Sequence, residues 1–316
     1  MKPAKKQWTK PVLKSLPIFF ECTCDAGAVG SREGSSIRIC ILGSAAGGGL
    51  PQWNCSCPNC VAARSGRISP QTQSSVALSA AGDPERWFLV NASPDLARQI
   101  ENSPQLRPSP NSPRNSPIAG VFLTNADIDH ALGLILLRQR ETPLVVYASK
   151  ETRDALGWLD TVLARFCGIE WQIIRPTFYS LGHQLAFRGI TLLQSTALQF
   201  HDELSGKTLL IAPAVGELTE ELRDAVGSTD VVLFDGTFWS NDELRAFRAG
   251  ARTAREMNHL PISEDSLDFL RQSPARRKIY THINNTNPIL APASNERQQV
   301  EQAGIEIGFD GLEIAL

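Results

Sequence analysis

Apolar and polar residues follow no sustained period over the first 36 positions, and a regular pattern begins only at Ile37. Residues 1–36 end in Gly30-Ser31-Arg32-Glu33-Gly34-Ser35, a linker composition. They read as a flexible tail ahead of one large domain, residues 37–316. The domain opens on Ile37-Arg38-Ile39-Cys40-Ile41-Leu42, whose apolar core-facing set predicts a strand. That run passes into Gly43-Ser44-Ala45-Ala46-Gly47-Gly48-Gly49, too rich in glycine for regular structure. Further strands are predicted over 74–78, 87–91, 120–124, 144–148, 190–196, 208–212, 230–235 and 278–282. Helical periods cover 131–140, 150–165, 217–226 and 295–303. The Pro-, Ser- and Asn-rich stretch 103–117 reads as a surface loop. Segments 305–309 and 312–315 predict a closing hairpin around Asp310-Gly311. Strands and helices are mixed, and side chains capable of chemistry recur at strand ends. That combination fits an α/β (α+β) layered fold with a site on one rim.

Composition narrows the functional classes. The 42% hydrophobic content supports a sizeable core, and 31 Lys+Arg against 33 Asp+Glu give a net charge of -2. With no basic run in the domain, nothing points to nucleic acid. No apolar stretch reaches the roughly 20 residues that span a bilayer. The segment 16–20 is too short even for a secretory core and stops at Glu21. The expectation is a cytoplasmic protein with neither a membrane nor a nucleic-acid partner, acting on a small molecule. Seven cysteines (Cys22, Cys24, Cys40, Cys55, Cys57, Cys60 and Cys167) fit metal binding in a reducing compartment better than a disulfide framework.

Two constellations carry the chemistry. Cys55-Ser56-Cys57-Pro58-Asn59-Cys60 is a C-x-C-x-x-C turn that points three soft thiolates at one ion. Zn(2+) takes four such ligands tetrahedrally, so a structural zinc is expected, with a fourth ligand the local sequence does not name. The alternative is three incidental buried cysteines. The second constellation is Thr124-Asn125-Ala126-Asp127-Ile128-Asp129-His130, between an apolar strand and a helix. Asp127, Asp129 and His130 form a borderline-to-hard ligand set, while Asp129 alone would also suit a helix N-cap. Asp235 and His282 each close a buried strand, and His259 lies in a turn-forming stretch. Three of five histidines at such boundaries, with Asp235 and the Asp129-His130 pair, favour one shared site. The loop 43–49 lacks the G-K-[ST] ending of a phosphate loop and reads as a tight turn beside that cleft.

The run from Leu42 to Cys57, including Pro51-Gln52-Trp53-Asn54, closely resembles the opening of PqqB-type proteins of pyrroloquinoline quinone (PQQ) biosynthesis. So do Gln73-Ser74-Ser75, Asn91-Ala92-Ser93-Pro94-Asp95, Ile128-Asp129-His130, Phe234-Asp235-Gly236-Thr237-Phe238-Trp239 and His282-Ile283-Asn284-Asn285-Thr286-Asn287-Pro288. These blocks stand in family order across residues 37–316. The resemblance implies a metallo-β-lactamase four-layer αββα sandwich. The superfamily's H-x-H-x-D-H loop reads here as Asn125-x-Asp127-x-Asp129-His130, so its first two histidines are absent. Asp235 corresponds to the bridging acid and His282 to the last histidine.

The resemblance further implies Fe(2+) or Zn(2+) held by Asp129, His130 and His282, with Asp127, Asp235 and His259 completing the catalytic set. Substrate contacts fall to Asn91, Ser93, Asn284 and Asn285. Two histidines and one carboxylate form the face that suits iron(II) and oxygen. The implied reaction is oxygenation of the cross-linked glutamate–tyrosine unit cut from the precursor peptide PqqA. Other implied roles are a carrier that transports PQQ or its precursor, and a di-metal hydrolase of phosphodiesterase type. Other PQQ biosynthesis proteins are the implied partners, and a homodimer stays open. The chain departs from the family at Asn125, at Asp127 and at Met257-Asn258-His259, where Met-Gly-His is usual. In the tail, Trp8-Thr9-Lys10-Pro11 with Glu21-x-Thr23 is similar to PqqA, with Asp25 where PqqA carries its tyrosine.

Overall fold

A computed structural model describes residues 37–316; the tail, with Cys22, Cys24 and the precursor-like motif, lies outside the described residues. The strands in chain order are β1 (Arg38–Gly43), β2 (Ser75–Ala80), β3 (Asp83–Val90), β4 (Ile118–Phe122), β5 (Leu144–Ala148), β6 (Ile169–Ile173) and β7 (Tyr179–Gly182). There follow β8 (Leu185–Thr191), β9 (Thr196–Asp202), β10 (Lys207–Ala212), β11 (Val231–Asp235), β12 (Arg277–Thr281), β13 (Glu306–Ile307) and β14 (Leu312–Ala315). Among the described residues they form two seven-stranded sheets, ordered β14-β1-β2-β3-β4-β5-β6 and β13-β12-β11-β10-β9-β8-β7. Each sheet is mixed: β3 to β6 run parallel, as do β10 to β13, and the remaining neighbours are antiparallel.

Strand periodicity explains the layering. In β1, Ile39 and Ile41 pack between the sheets with Phe122, Phe187, Phe200 and Leu233, while Cys40 and Leu42 face the opposite way. Both faces are buried, so the run reads as continuously apolar rather than alternating. In β11, Val231 and Leu233 point to the middle layer, and Val232 and Phe234 point outward. Helices Leu96–Asn102 and Trp158–Leu163 lie over the first sheet, in the same core as Trp87, Leu89 and Val121. Helices Pro58–Arg64, Glu220–Gly227, Leu267–Gln272 and Asn295–Gln302 lie over the second. Three apolar interlayers between four layers make the αββα sandwich that the family resemblance implied.

Three expectations are corrected. The hairpin proposed around Asp310-Gly311 does not form: β13 pairs with β12 in one sheet, and β14 with β1 in the other. Asp310 anchors a crossover instead. Its carboxylate accepts from the Ser44 and Thr72 backbone N–H groups and from both hydroxyls, while Gly311 N–H donates to Ile41 O. The strand expected over 190–196 straddles a turn, in which Leu192 N–H donates to Ser195 O at 2.9 Å. The helix expected over 150–165 is two, Lys150–Ala155 and Trp158–Leu163, broken near Gly157, whose backbone entropy disfavours helix.

The rim is built where strands run out. β4 ends into the 123–127 loop and the one-turn helix Ile128–Ala131, β11 ends at Asp235, and β12 ends one residue before His282.

Candidate functional site

One ligand atom from each of Asp129, His130 and His282 lies within 4.8 Å of the others. The Asp129 carboxylate is 3.3 Å from His282 Nε2 and 3.7 Å from His130 Nε2. Asp129 sits in the first turn of helix Ile128–Ala131, and Asp127 holds the N-cap position, so the cap alternative for Asp129 falls away. His130 is fully buried, and its Nε2 has no hydrogen-bond partner. A buried ring nitrogen without a partner is costly unless something else occupies its lone pair. Its other nitrogen is fixed. Asn125 Nδ2 donates to Asp127 Oδ2 at 2.6 Å, which orients the amide so that Asn125 Oδ1 accepts from His130 Nδ1 at 2.6 Å. Nδ1 therefore carries the proton, and Nε2 presents a lone pair. Burial, helped by the neighbouring His282 and His259, pulls the His130 imidazole down to about 4, so it stays neutral near pH 7.

His282 has its tautomer set in the same way. Thr237 Oγ1 donates to Asp235 Oδ1 at 2.6 Å and accepts from His282 Nδ1 at 2.8 Å, leaving Nε2 aimed at Asp129. His282 takes a left-handed φ of 56°, uncommon away from glycine, and the Ile283 N–H donates to Ser44 O at 2.8 Å. Burial opposes charge on His282, but the Asp129 carboxylate more than offsets it and raises the imidazole above its ordinary value. Burial likewise opposes charge on Asp129, yet the hydrogen bond from His282 and the proximity of His130 hold its carboxyl well below the usual range.

A second trio, Asp235, His259 and His282, also has ligand atoms within 4.8 Å of one another. Here the acid is already satisfied. Asp235 Oδ1 accepts from Thr237 N–H and hydroxyl, and Oδ2 from Val215 N–H at 2.8 Å and His259 Nδ1 at 2.7 Å. Asp235, so held, fixes the His259 ring, which lies 5.5 Å from the His282 ring at an interplanar angle of 23°. The glycine loop closes on the first trio: a Cβ at Gly47 would stand 3.3 Å from Asp129 Oδ2.

The sulfurs of Cys55, Cys57 and Cys60 lie within 4.8 Å of one another at the start of helix Pro58–Arg64. The Asn285 side-chain amide lies against all three, at 3.2, 3.5 and 3.3 Å. Asn285 is thus the side chain on the fourth side of the three sulfurs, with its amide nitrogen donating to them. Asn59 braces the same corner by donating to the backbone oxygens of Asn285 and Asn287.

The remaining sequence candidates divide. Asp127 is exposed and stands outside both trios, tied to Asn125 rather than to a ligand position. Asn91 and Ser93, expected at the substrate, are buried beneath the rim. Asn91 Oδ1 accepts from Thr124, and the Ser93 hydroxyl donates to Gln99. Asn284 and Asn285 line a cavity of about 650 Å³ between the cysteine turn and the 236–262 strap, although Asn285 is committed to the sulfurs. Sequence reasoning missed Thr237, which orders His282 and Asp235 together. It also missed the orienting role of Asn125, since a carboxamide gives no ligand signal.

A family model described as "Beta-lactamase superfamily domain" matches residues 86–283. A "Coenzyme PQQ synthesis protein B" of Cupriavidus necator is 40% identical over 310 aligned residues, covering 89% of this chain and 100% of the relative. That of Rhizobium meliloti is 39% identical over 310, covering 89% and 99%. The crystal structure of Zn(2+)-bound PqqB from Methylobacterium extorquens superposes with a TM-score of 0.80 at 36% identity, covering 88% of this chain and all of that one. A diphosphatase from the PhnP family shares the fold alone, with a TM-score of 0.68 at 17% identity over 89% of this chain and 97% of that one.

Proposed function

The chain belongs to the coenzyme PQQ synthesis protein B family of the β-lactamase superfamily, and on that footing we propose that it acts in PQQ biosynthesis as an iron-dependent oxygenase. Its substrate in this reading is the cross-linked glutamate–tyrosine unit released from the precursor peptide. The observation that carries the reading is the unpartnered, buried Nε2 of His130 beside Asp129 and His282 Nε2. Two imidazoles and one carboxylate are the donor set that leaves open positions on iron(II). Bound there, iron(II) supplies the means to activate oxygen toward a phenol ring. The protein's own groups orient the reaction. Asn125 and Thr237 lock the two imidazole tautomers. His259, held through Nδ1 by Asp235, keeps Nε2 as a base for a phenolic proton. Phe238, its ring 5.8 Å from that of His259, offers an aromatic wall. The thiol corner holds a structural zinc in the same account.

A di-metal hydrolase would draw on the compactness of the second trio, but it needs an ion at Asp235, whose two oxygens already accept four hydrogen bonds. The test is anaerobic purification with iron(II), metal analysis, and an oxygen electrode. The proposal predicts one iron and one zinc per chain, and oxygen uptake when the cross-linked amino acid is added. Iron bound with no oxygen uptake would end the oxygenase reading. Two zincs and cleavage of a phosphodiester would favour the hydrolase.

A further inference from the structure

The 650 Å³ cavity beside the rim has a one-sided chemistry. It meets the metal-ligand cluster at two places. Gly47 lies in its lining against Asp129, and Phe238 lies in its lining against His259. Leu244, Phe247 and Met257 make the strap side of the cavity apolar, and Asn284 is among its neutral polar groups. Among all the residues that line it, Arg248 is the only Lys, Arg, Asp or Glu.

The strap carries four arginines, and three are engaged. Arg245 pairs with Asp242 at 2.8 Å, Arg255 pairs with Asp265 at 2.6 Å, and Arg252 donates to the backbone oxygen of Glu256. Among the described residues no carboxylate lies within ion-pair distance of Arg248, whose backbone N–H is fixed to Leu244 O at 3.0 Å. The arginine at the cavity is therefore the one with no structural duty. A guanidinium stays charged at any relevant pH and matches a carboxylate with two parallel hydrogen bonds.

We infer that this cavity is a binding site for a carboxylated aromatic molecule, with Arg248 recognising the carboxylate and thereby determining specificity. The apolar strap side chains hold the ring plane, and the reacting end points to the rim. The inference deepens the oxygenase reading and rests on it only for the direction the ligand faces. Because Arg248 is solvent-exposed, its pairing energy is modest rather than that of a buried ion pair.

The probe is PQQ itself, an aromatic tricarboxylate, titrated anaerobically into metal-loaded protein alongside its uncharged trimethyl ester. Arg248→Met is expected to weaken PQQ binding about tenfold while leaving ester binding unchanged. Arg248→Lys, which keeps the charge but loses the planar fork, falls between. Arg252→Met, a change of the same size outside the cavity lining, leaves PQQ binding as in the wild type. Equal affinity of the wild type and Arg248→Met for PQQ, equal losses for acid and ester, or no PQQ binding by the wild type would each overturn the inference. Oxygen uptake is read separately. Binding through Arg248 without oxygen use keeps the inference and sinks the oxygenase reading; oxygen use with an unchanged KM in Arg248→Met does the reverse.

Discussion

The thiol corner lines the cavity, the imidazole rim meets it through Gly47 and Phe238, and the two differ in how completely their donors are used. At the corner three sulfurs come from six consecutive residues, and the amide of Asn285 closes the remaining side. At the rim the donors come from the one-turn helix after β4 and from the end of β12, and one of them, His130 Nε2, faces no partner. Three thiolates whose fourth side is closed would hold an ion and leave it nothing to react with, which is a structural role. An open set of imidazoles and a carboxylate leaves coordination positions for chemistry. The two donor clusters thus differ in what they leave unsatisfied.

Breaking the corner is expected to have the largest effect on the fold. Cys60 is fully buried and packs against the second sheet's outer core. Cys60→Ser should lose the zinc and cost more than about 3 kcal/mol of stability, read by denaturant unfolding beside metal analysis. An unchanged unfolding curve would show that the corner staples nothing. At the rim, Asn125→Ala removes the acceptor that fixes the His130 tautomer without touching a ligand. Iron affinity should fall about 10- to 100-fold while zinc content stays intact, as a metal titration would reveal. If iron binds as before, the orienting role of Asn125 is wrong.

The smallest expected effect lies in the 236–262 strap. Glu243 is buried there, its carboxylate accepting from Trp239 N–H and the Thr286 hydroxyl. Burial pushes its carboxyl up from 4.5 to about 7. A folded-state value above the unfolded one means that the native protein binds more protons between those values. The stability contributed by Glu243 is therefore full below about pH 4.5 and is lost as pH rises through about 7. Glu243→Gln should flatten that slope. Unfolding midpoints from pH 5 to 8 with the same slope in both proteins would remove Glu243 from the account.

The contrast between corner and rim also explains what could be read in advance. The corner is contiguous, so its sulfurs were visible as a spacing, but its fourth side was not. Asn285, expected at the substrate, also stands against the sulfurs because only the folded chain brings it back across more than 220 residues. At the rim, Asp235 and His282 announced themselves as polar residues ending apolar strands and His130 as part of a polar loop after one, whereas Thr237 and Asn125 act through hydrogen bonds that leave no periodic trace. The buried strands β1, β5 and β11 were plain from continuous apolar runs. The edge strands β6 and β7 were missed because their exposed, mixed side chains carry no core pattern. Asp310-Gly311 misled because a turn dipeptide fixes local shape and not which sheet the next strand joins.

The claim on which this account depends is that the two sites hold separate ions for separate purposes. Metal content of His282→Ala, measured after anaerobic loading with iron(II) and zinc, tests it most directly. The account predicts loss of the rim iron with full retention of the zinc at Cys55, Cys57 and Cys60. Loss of both metals, or of neither, would contradict it.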